Sequence, residues 1–205
     1  MTVSDKILQT RDTPLILTDT NIQHWLKGTD DSRYGLIKRA LARKDLIQIR
    51  RGLYVLGEPY RKRIFHPFEL GQAIYGPSFI SFESALSFWG LIPEAVYTIT
   101  SACSKRSKNF DTPFGRFSYS RIPFHPLLTQ VKRIVDGQQI YFIAKPLRAL
   151  SDYVYASGES WDFHSLLDSL RIDEMPALET QEINELKQFY HHSRVQHFLK
   201  SIERD

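Results

Sequence analysis

Residues 32–56 read SRYGLIKRALARKDLIQIRRGLYVL, and the hydrophobic period within them changes once. In the first half, Leu36, Ile37, Ala40 and Leu41 recur at helical spacing and make one apolar stripe. With that stripe buried, Gly35, Lys38, Arg39 and Ala42 point the other way. Asp30 or Asp31 stands where a side-chain oxygen caps a helix start by accepting from its unpaired N–H groups. After Asp45 the period becomes two. Leu46, Ile47 and Ile49 form one short strand, and Leu53, Tyr54, Val55 and Leu56 form the next. Arg51-Gly52 supplies the turn between them, because glycine tolerates the positive φ of a tight hairpin.

A basic helix with small exposed residues, followed at once by a hairpin tipped with arginines, is the pattern of a winged helix-turn-helix. The helix would enter a major groove and the wing would lie on the backbone. Charge supports the same reading. From Arg33 to Arg63 there are ten basic residues and two acidic ones, a local net charge of +8, whereas the whole chain carries +4. An excess of this size in so short a stretch makes a patch suited to phosphates. An ordinary solvated helix face is the alternative explanation.

With 205 residues the chain has room for one large domain or two small ones. One cysteine forms no internal disulfide, which fits a reducing, cytoplasmic setting. No apolar run reaches the ~18–20 residues of a membrane span. The first twenty residues lack a basic start followed by an apolar block, so no signal peptide is expected.

Ahead of the basic helix, Ile7 and Leu8, then Ile22, Trp25 and Leu26, suggest two short helices separated at Pro14. Thr18 or Asp19 caps the second, and Trp25 packs against Leu36 and Leu41. Residues 60–67 (YRKRIFHP) form a basic connector in which the domain boundary is placed. The expected domains are 1–62, a winged helix, and 63–205, an α+β domain with antiparallel strands and C-terminal helices. In the second domain, helices are expected at 67–75 and 82–89 and strands at 79–80 and 96–103. Two hairpins follow, one turning at 111–113 and the other at Asp136-Gly137. Helices follow from Lys145, at 163–170, 177–190 and 195–202. Acids gather at Asp173, Glu174, Glu179, Glu182 and Glu185; this face would repel DNA and either is solvated or meets a basic protein.

No catalytic set stands out. There is no P-loop, no Gly-x-Ser-x-Gly and no His-Glu-x-x-His. Cys103 lies beside a basic loop that would favour a thiolate, yet a plain buried thiol is the far simpler explanation. His191 and His192 are adjacent, so on a helix they diverge by about 100° and share a metal poorly. Glu83, Asp111 and Lys132 suggest a nuclease only loosely, and Glu83 is well explained as a first-turn acid. The expectation is a protein that is not an enzyme and uses neither metal nor cofactor.

Several segments together resemble the AbiEi family of abortive-infection antitoxins, the antitoxins of type IV toxin–antitoxin systems. Arg51-Gly52-Leu53-Tyr54-Val55 resembles the family's wing. Residues 77–86 (PSFISFESAL), running on to 90–94 (GLIPE), resemble the opening of its second domain. Thr112-Pro113-Phe114-Gly115 with Phe117, Tyr119 and Ile122 resembles its central strands, and 144–150 (AKPLRAL) with Asp152-Tyr153 its following helix. The likeness runs from about Ile22 to the last helix. It departs at Lys145-Pro146-Leu147-Arg148, where the family often has Thr-Pro-Glu-Lys, and at Gly28-Thr29-Asp30-Asp31, which has no close counterpart. The resemblance implies a DNA-binding antitoxin that represses its own operon through inverted repeats. It also implies a nucleotidyltransferase-fold toxin that is countered without a stable complex.

The expected DNA-binding residues are Lys38 and Arg39 on the recognition face, with Ser32 at its edge. Arg50 and Arg51 would hold phosphates from the wing, and Arg43, Arg61, Lys62 and Arg63 would add backbone contacts. A second reading makes the chain a solitary winged-helix regulator whose second domain binds a protein or small ligand. Double-stranded DNA is the expected partner in both, with no membrane.

Overall fold

A computed structural model describes residues 7, 14–26, 28–61, 63–123 and 128–204. The fold is mixed α and β. Its first part is a three-stranded antiparallel sheet, order β1-β3-β2, with two helices laid on it. The elements run β1 (Ile16–Thr18), α1 (Asp19–Trp25), α2 (Asp30–Ala42), β2 (Leu46–Arg50) and β3 (Leu53–Leu56). Strand β1 has no alternating signal of its own; it forms because its backbone completes the edge of β3, Ile16 opposite Val55 and Thr18 opposite Leu53. Thr18 caps α1 in a reciprocal box with Asn21. The cap of α2 is Thr29, whose hydroxyl accepts the Ser32 N–H at 3.3 Å, and not Asp30 or Asp31, which lie in the first turn. Ile22, Leu26, Ala40, Leu46 and Leu56 are buried together, with Trp25, Leu36, Ile37 and Leu41 packed around them. Ile7 is helical and fully buried in the same core, while its neighbour Leu8 lies outside the described residues.

The second part is built on a six-stranded sheet, order β6-β7-β5-β4-β9-β8. Its elements are α3 (Pro67–Ile74), β4 (Ser78–Ile80), α4 (Phe82–Phe88), β5 (Thr98–Cys103), β6 (Lys108–Thr112), β7 (Gly115–Arg121), β8 (Val131–Asp136) and β9 (Gln139–Ala144). Four helices follow: α5 (Pro146–Ser157), α6 (Phe163–Ser169), α7 (Thr180–Phe189) and α8 (Ser193–Ser201). The expected hairpins form, β6 with β7 and β8 with β9, but the first turns at Pro113-Phe114 rather than 111–113, because Asp111 and Thr112 still pair with Arg116 and Gly115. The sheet is nevertheless not purely antiparallel, because β5 runs parallel to β7 and β4 parallel to β9. Period-two alternation marks a strand without giving its direction. Here the chain leaves β5, makes the outer strand β6, and hairpins back so that β7 enters beside β5.

Helix α3 covers one face. A Cβ on its Gly71 would already touch Ile99, Phe117 and Ile80 at 3.5–3.7 Å, so glycine lets helix and sheet close up. The other face is buried under α4 and α5, where Phe79, Ala85, Leu86, Leu147 and Leu150 share one core. Within it lies a fully buried ion pair. Arg148 Nε donates to Asp152 Oδ1 at 2.9 Å, Ser81 Oγ donates to Oδ2 at 2.6 Å, and the Tyr190 hydroxyl also donates to this carboxylate. Burial, together with the Asp152 charge, pushes the Tyr190 phenol well above its ordinary range. Burial beside charges this costly is tolerated only because nearly every polar atom is matched.

The two parts share a third apolar cluster. Ile49, Leu53 and Val55 of the hairpin pack with Leu70, Ile74, Cys103, Phe117 and Tyr119. The hairpin thus has one face on its own helices and one on the six-stranded sheet.

Candidate nucleic-acid interface

Helix α2 presents its buried stripe inward and leaves Ser32, Tyr34, Lys38, Arg39 and Arg43 exposed. Among the described residues no hydrogen bond or ion pair holds Lys38 or Arg39. Tyr34 is 70% exposed on the same helix. Its exposure makes it part of this surface, and sequence reasoning passed over it. The available signal was an aromatic residue beside Arg33, two positions before the apolar run.

Beside α2 the hairpin tip projects Arg51. Its turn closes over α1: the Asp19 N–H donates to the Gly52 carbonyl at 3.2 Å, and a Cβ at Gly52 would stand 2.8 Å from Asp19 Oδ2. With φ at +76°, Gly52 has both reasons to be glycine. The groove between α1, α2 and the tip encloses about 480 Å³, lined in part by Asp19, Arg33, Tyr34, Lys38, Gln48 and Arg51. Its acids are already engaged. Asp30 pairs with Arg33, and Asp19 hydrogen-bonds the Tyr54 hydroxyl, whose pKa is raised by burial first and by Asp19 second. Among the described residues that leaves Lys38 and Arg51 as unneutralised cations in the groove, with Arg39 exposed next to Lys38 on α2.

The other arginines expected at the interface sit differently. Arg50 turns away from the tip: its Nε donates to the Ile74 carbonyl at 2.8 Å and its Nη1 to the Arg51 carbonyl at 3.0 Å. Arg63 forms a two-pronged pair with Glu69, at 2.8 and 2.6 Å, and that hydrogen-bonded carboxylate raises the guanidinium further above its ordinary range. Arg61 donates to the Leu56 carbonyl at 3.3 Å and lies over the rings of Phe65 and Phe114. These three knit the hairpin and connector to the six-stranded part. Arg43 is exposed and reaches Asp45 at 3.3 Å. Lys62 lies outside the described residues. Ser32, Lys38, Arg39, Arg43 and Arg51 are therefore exposed, with Lys38 and Arg51 lining the groove together, while Arg50, Arg61 and Arg63 belong to the seam.

The remaining candidates do not converge. Cys103 is fully buried, its Sγ donates to the Lys105 carbonyl, and burial pushes the thiol up rather than down, so its basic neighbours do not make a reactive thiolate. Asp111 on β6 pairs with Arg116, and Lys132 on β8 lies over the Trp89 ring, on opposite edges of the sheet. Glu83 is in the first turn of α4. His192 caps α8. Among the described residues no group of three or more His, Cys, Asp or Glu could hold a metal ion, and no helix is long and apolar enough to cross a membrane. In the acidic stretch, Glu182 pairs with Lys145 at 2.6 Å, and Glu185 takes hydrogen bonds from Gln181 and Gln130 that lower its pKa.

No known family model matches the chain, and no curated protein matches it at a significant level.

Proposed function

We propose that the first part of the chain is a winged-helix module that binds double-stranded DNA. The chain would then be a repressor of its own operon and the antitoxin of a type IV system, opposing a nucleotidyltransferase-like toxin. The observation that carries the DNA-binding reading is the set of exposed, unneutralised cations Lys38 and Arg39 on α2 and Arg51 on the hairpin tip beside it. Their carriers are α2 and a hairpin tip that is itself held to α1 through Asp19, Gly52 and Tyr54. The element order β1-α1-α2-β2-β3, with β3 central in its sheet, supports the winged-helix part. In this arrangement α2 enters the major groove with Ser32, Tyr34, Lys38 and Arg39 toward base edges, and Arg51 sits on a phosphate. The antitoxin role rests on the sequence resemblance alone.

Binding to the DNA upstream of its own gene, compared with a scrambled duplex at matched salt, tests the first half. Preferential binding is expected, and equal affinity for both duplexes would overturn autorepression. The second half is tested by co-expression with the neighbouring nucleotidyltransferase-like gene, if present. Growth rescue supports the antitoxin, and persistent arrest would leave a regulator of another kind.

A further inference from the structure

We propose that β8, the outer strand of the six-stranded sheet, is the surface on which a second copy of this chain docks, antiparallel and edge to edge about Ile134. Among the described residues no strand lies beyond β8, whereas the opposite edge, β6, packs beside β2. Natural edge strands are usually defended by a proline, a bulge, extreme shortness or charged side chains, and of these β8 has only charges, Lys132, Arg133 and Asp136, which are of mixed sign. Strand β8 has six residues, pairs with β9 in unbroken register and contains no proline or glycine.

Its backbone geometry restricts what can pair with it. The Lys145 N–H donates to the Gln130 carbonyl at 2.9 Å, so Gln130 belongs to a hydrogen-bonded pair. Alternation along an antiparallel ladder then directs the polar groups of residues 132, 134 and 136 toward β9 and those of 131, 133 and 135 outward. The Val131 N–H agrees, since it bonds the Leu128 carbonyl and not β9. A two-fold pairing must therefore set odd residues opposite odd residues, which leaves centres on single residues only. Centring on Arg133 opposes two arginines. Centring on Val135 sets Asp136 against Ile134 of the second copy. Centring on Ile134 places Ile134 on its own copy and Arg133 opposite Val135, with four N–H···O bonds between these last two pairs. It also places Lys132 opposite Asp136 twice. The charge sequence of this strand is thus complementary to itself in one permitted register.

The same pairing covers apolar surface that the single chain leaves open. Val135 and Ile140, cross-strand neighbours on one face, are 54% and 41% exposed. In the pair, Val135 lies along the aliphatic stem of Arg133 from the second copy.

Sedimentation equilibrium on the full chain tests this from mass alone, independently of any DNA reading. The wild type is expected to reach twice its 23.9 kDa mass as concentration rises. Lys132→Glu and Asp136→Lys each set like charges opposite one another and should stay at the single-chain mass. An equimolar mixture of the two variants restores both ion pairs and should regain the doubled mass. Val135→Pro removes only an outward N–H, so it should abolish association while far-UV circular dichroism stays unchanged. A wild type of single-chain mass at every soluble concentration would overturn the proposal. So would doubled mass persisting in the single charge reversals, or a mixture that fails to associate.

Discussion

Replacing Arg50 and Arg51 with alanine, one at a time, separates two roles that neighbouring arginines share in sequence but not in structure. The Arg50 guanidinium is half-buried on the seam and donates to the Ile74 carbonyl at 2.8 Å. A hydrogen bond from a charged donor contributes about 1.5–3 kcal/mol, and in a chain of this size each kcal/mol moves Tm by about 2–4 °C. Arg50→Ala should therefore lower Tm by roughly 3–12 °C while leaving the DNA-facing surface intact. Arg51 is exposed at the tip, and among the described residues its guanidinium makes no hydrogen bond or ion pair. Its loss should leave Tm within about 2 °C of the wild type, as surface substitutions do. On DNA it removes one phosphate contact, so the slope of log K against log salt should fall by about 0.9, or roughly eightfold in affinity near 0.1 M salt. Differential scanning fluorimetry and fluorescence anisotropy over a salt series read the two effects. If Arg50→Ala weakened DNA binding as Arg51→Ala does while Tm stayed put, the division between seam and interface would be wrong.

Other consequences are structural. Asp152→Ala strands the fully buried Arg148 guanidinium and should cost about 3–5 kcal/mol in urea unfolding, whereas the paired change to Arg148→Met with Asp152→Leu removes the buried charge and should cost less, although the Ser81 and Tyr190 hydroxyls still lose their acceptor. Equal losses would show that the charge pairing is unimportant. A Cβ at Gly57 would stand 2.0 Å from the Lys44 carbonyl oxygen, so Gly57→Ala should destabilise by at least ~1–3 kcal/mol, and an unchanged Tm would contradict the close approach of the turn after α2 to the end of β3. His66 accepts the Phe68 N–H through Nδ1, and burial lowers its pKa against the opposing pull of Asp136 and Glu69. Because the folded value is depressed, its contribution is fully present above about pH 6.5 and fades as pH falls through the folded value. His66→Asn keeps a cap and should flatten the pH dependence of Tm below that point; an unaltered profile would exclude His66 as its source.

Periodicity made the central stretch legible. Four apolar residues at helical spacing, then a switch to alternation at Asp45, placed α2, β2 and β3 nearly to the residue. The Gly137 hairpin was equally plain, because a two-residue turn with positive φ leaves a strong local trace. Strand β1 left none, since three residues gain their strand character from the β3 edge they complete. The parallel pairings of β5 with β7 and β4 with β9 were invisible for a related reason: direction is a property of the connection, not of the strand. At the interface, charge counting found the right stretch and could not sort its members. Arg50, Arg51, Arg61 and Arg63 read alike as cations. Only the positions of Ile74, Leu56 and Glu69 show that three of them are tied into the seam. Tyr34 was missed because attention to charge passes over an exposed phenol.

The specificity ratio of Arg39→Ala tests the DNA-binding account most directly. Affinities for the upstream duplex and for a scrambled one are measured at one salt concentration, for wild type and variant. An arginine that reads a base edge contributes roughly 1–3 kcal/mol of discrimination, so the ratio should drop by about 5- to 150-fold, whereas Arg51→Ala should lower both affinities and leave the ratio unchanged. A ratio untouched by Arg39→Ala, with both duplexes bound equally well before and after, would contradict the claim that α2 reads DNA.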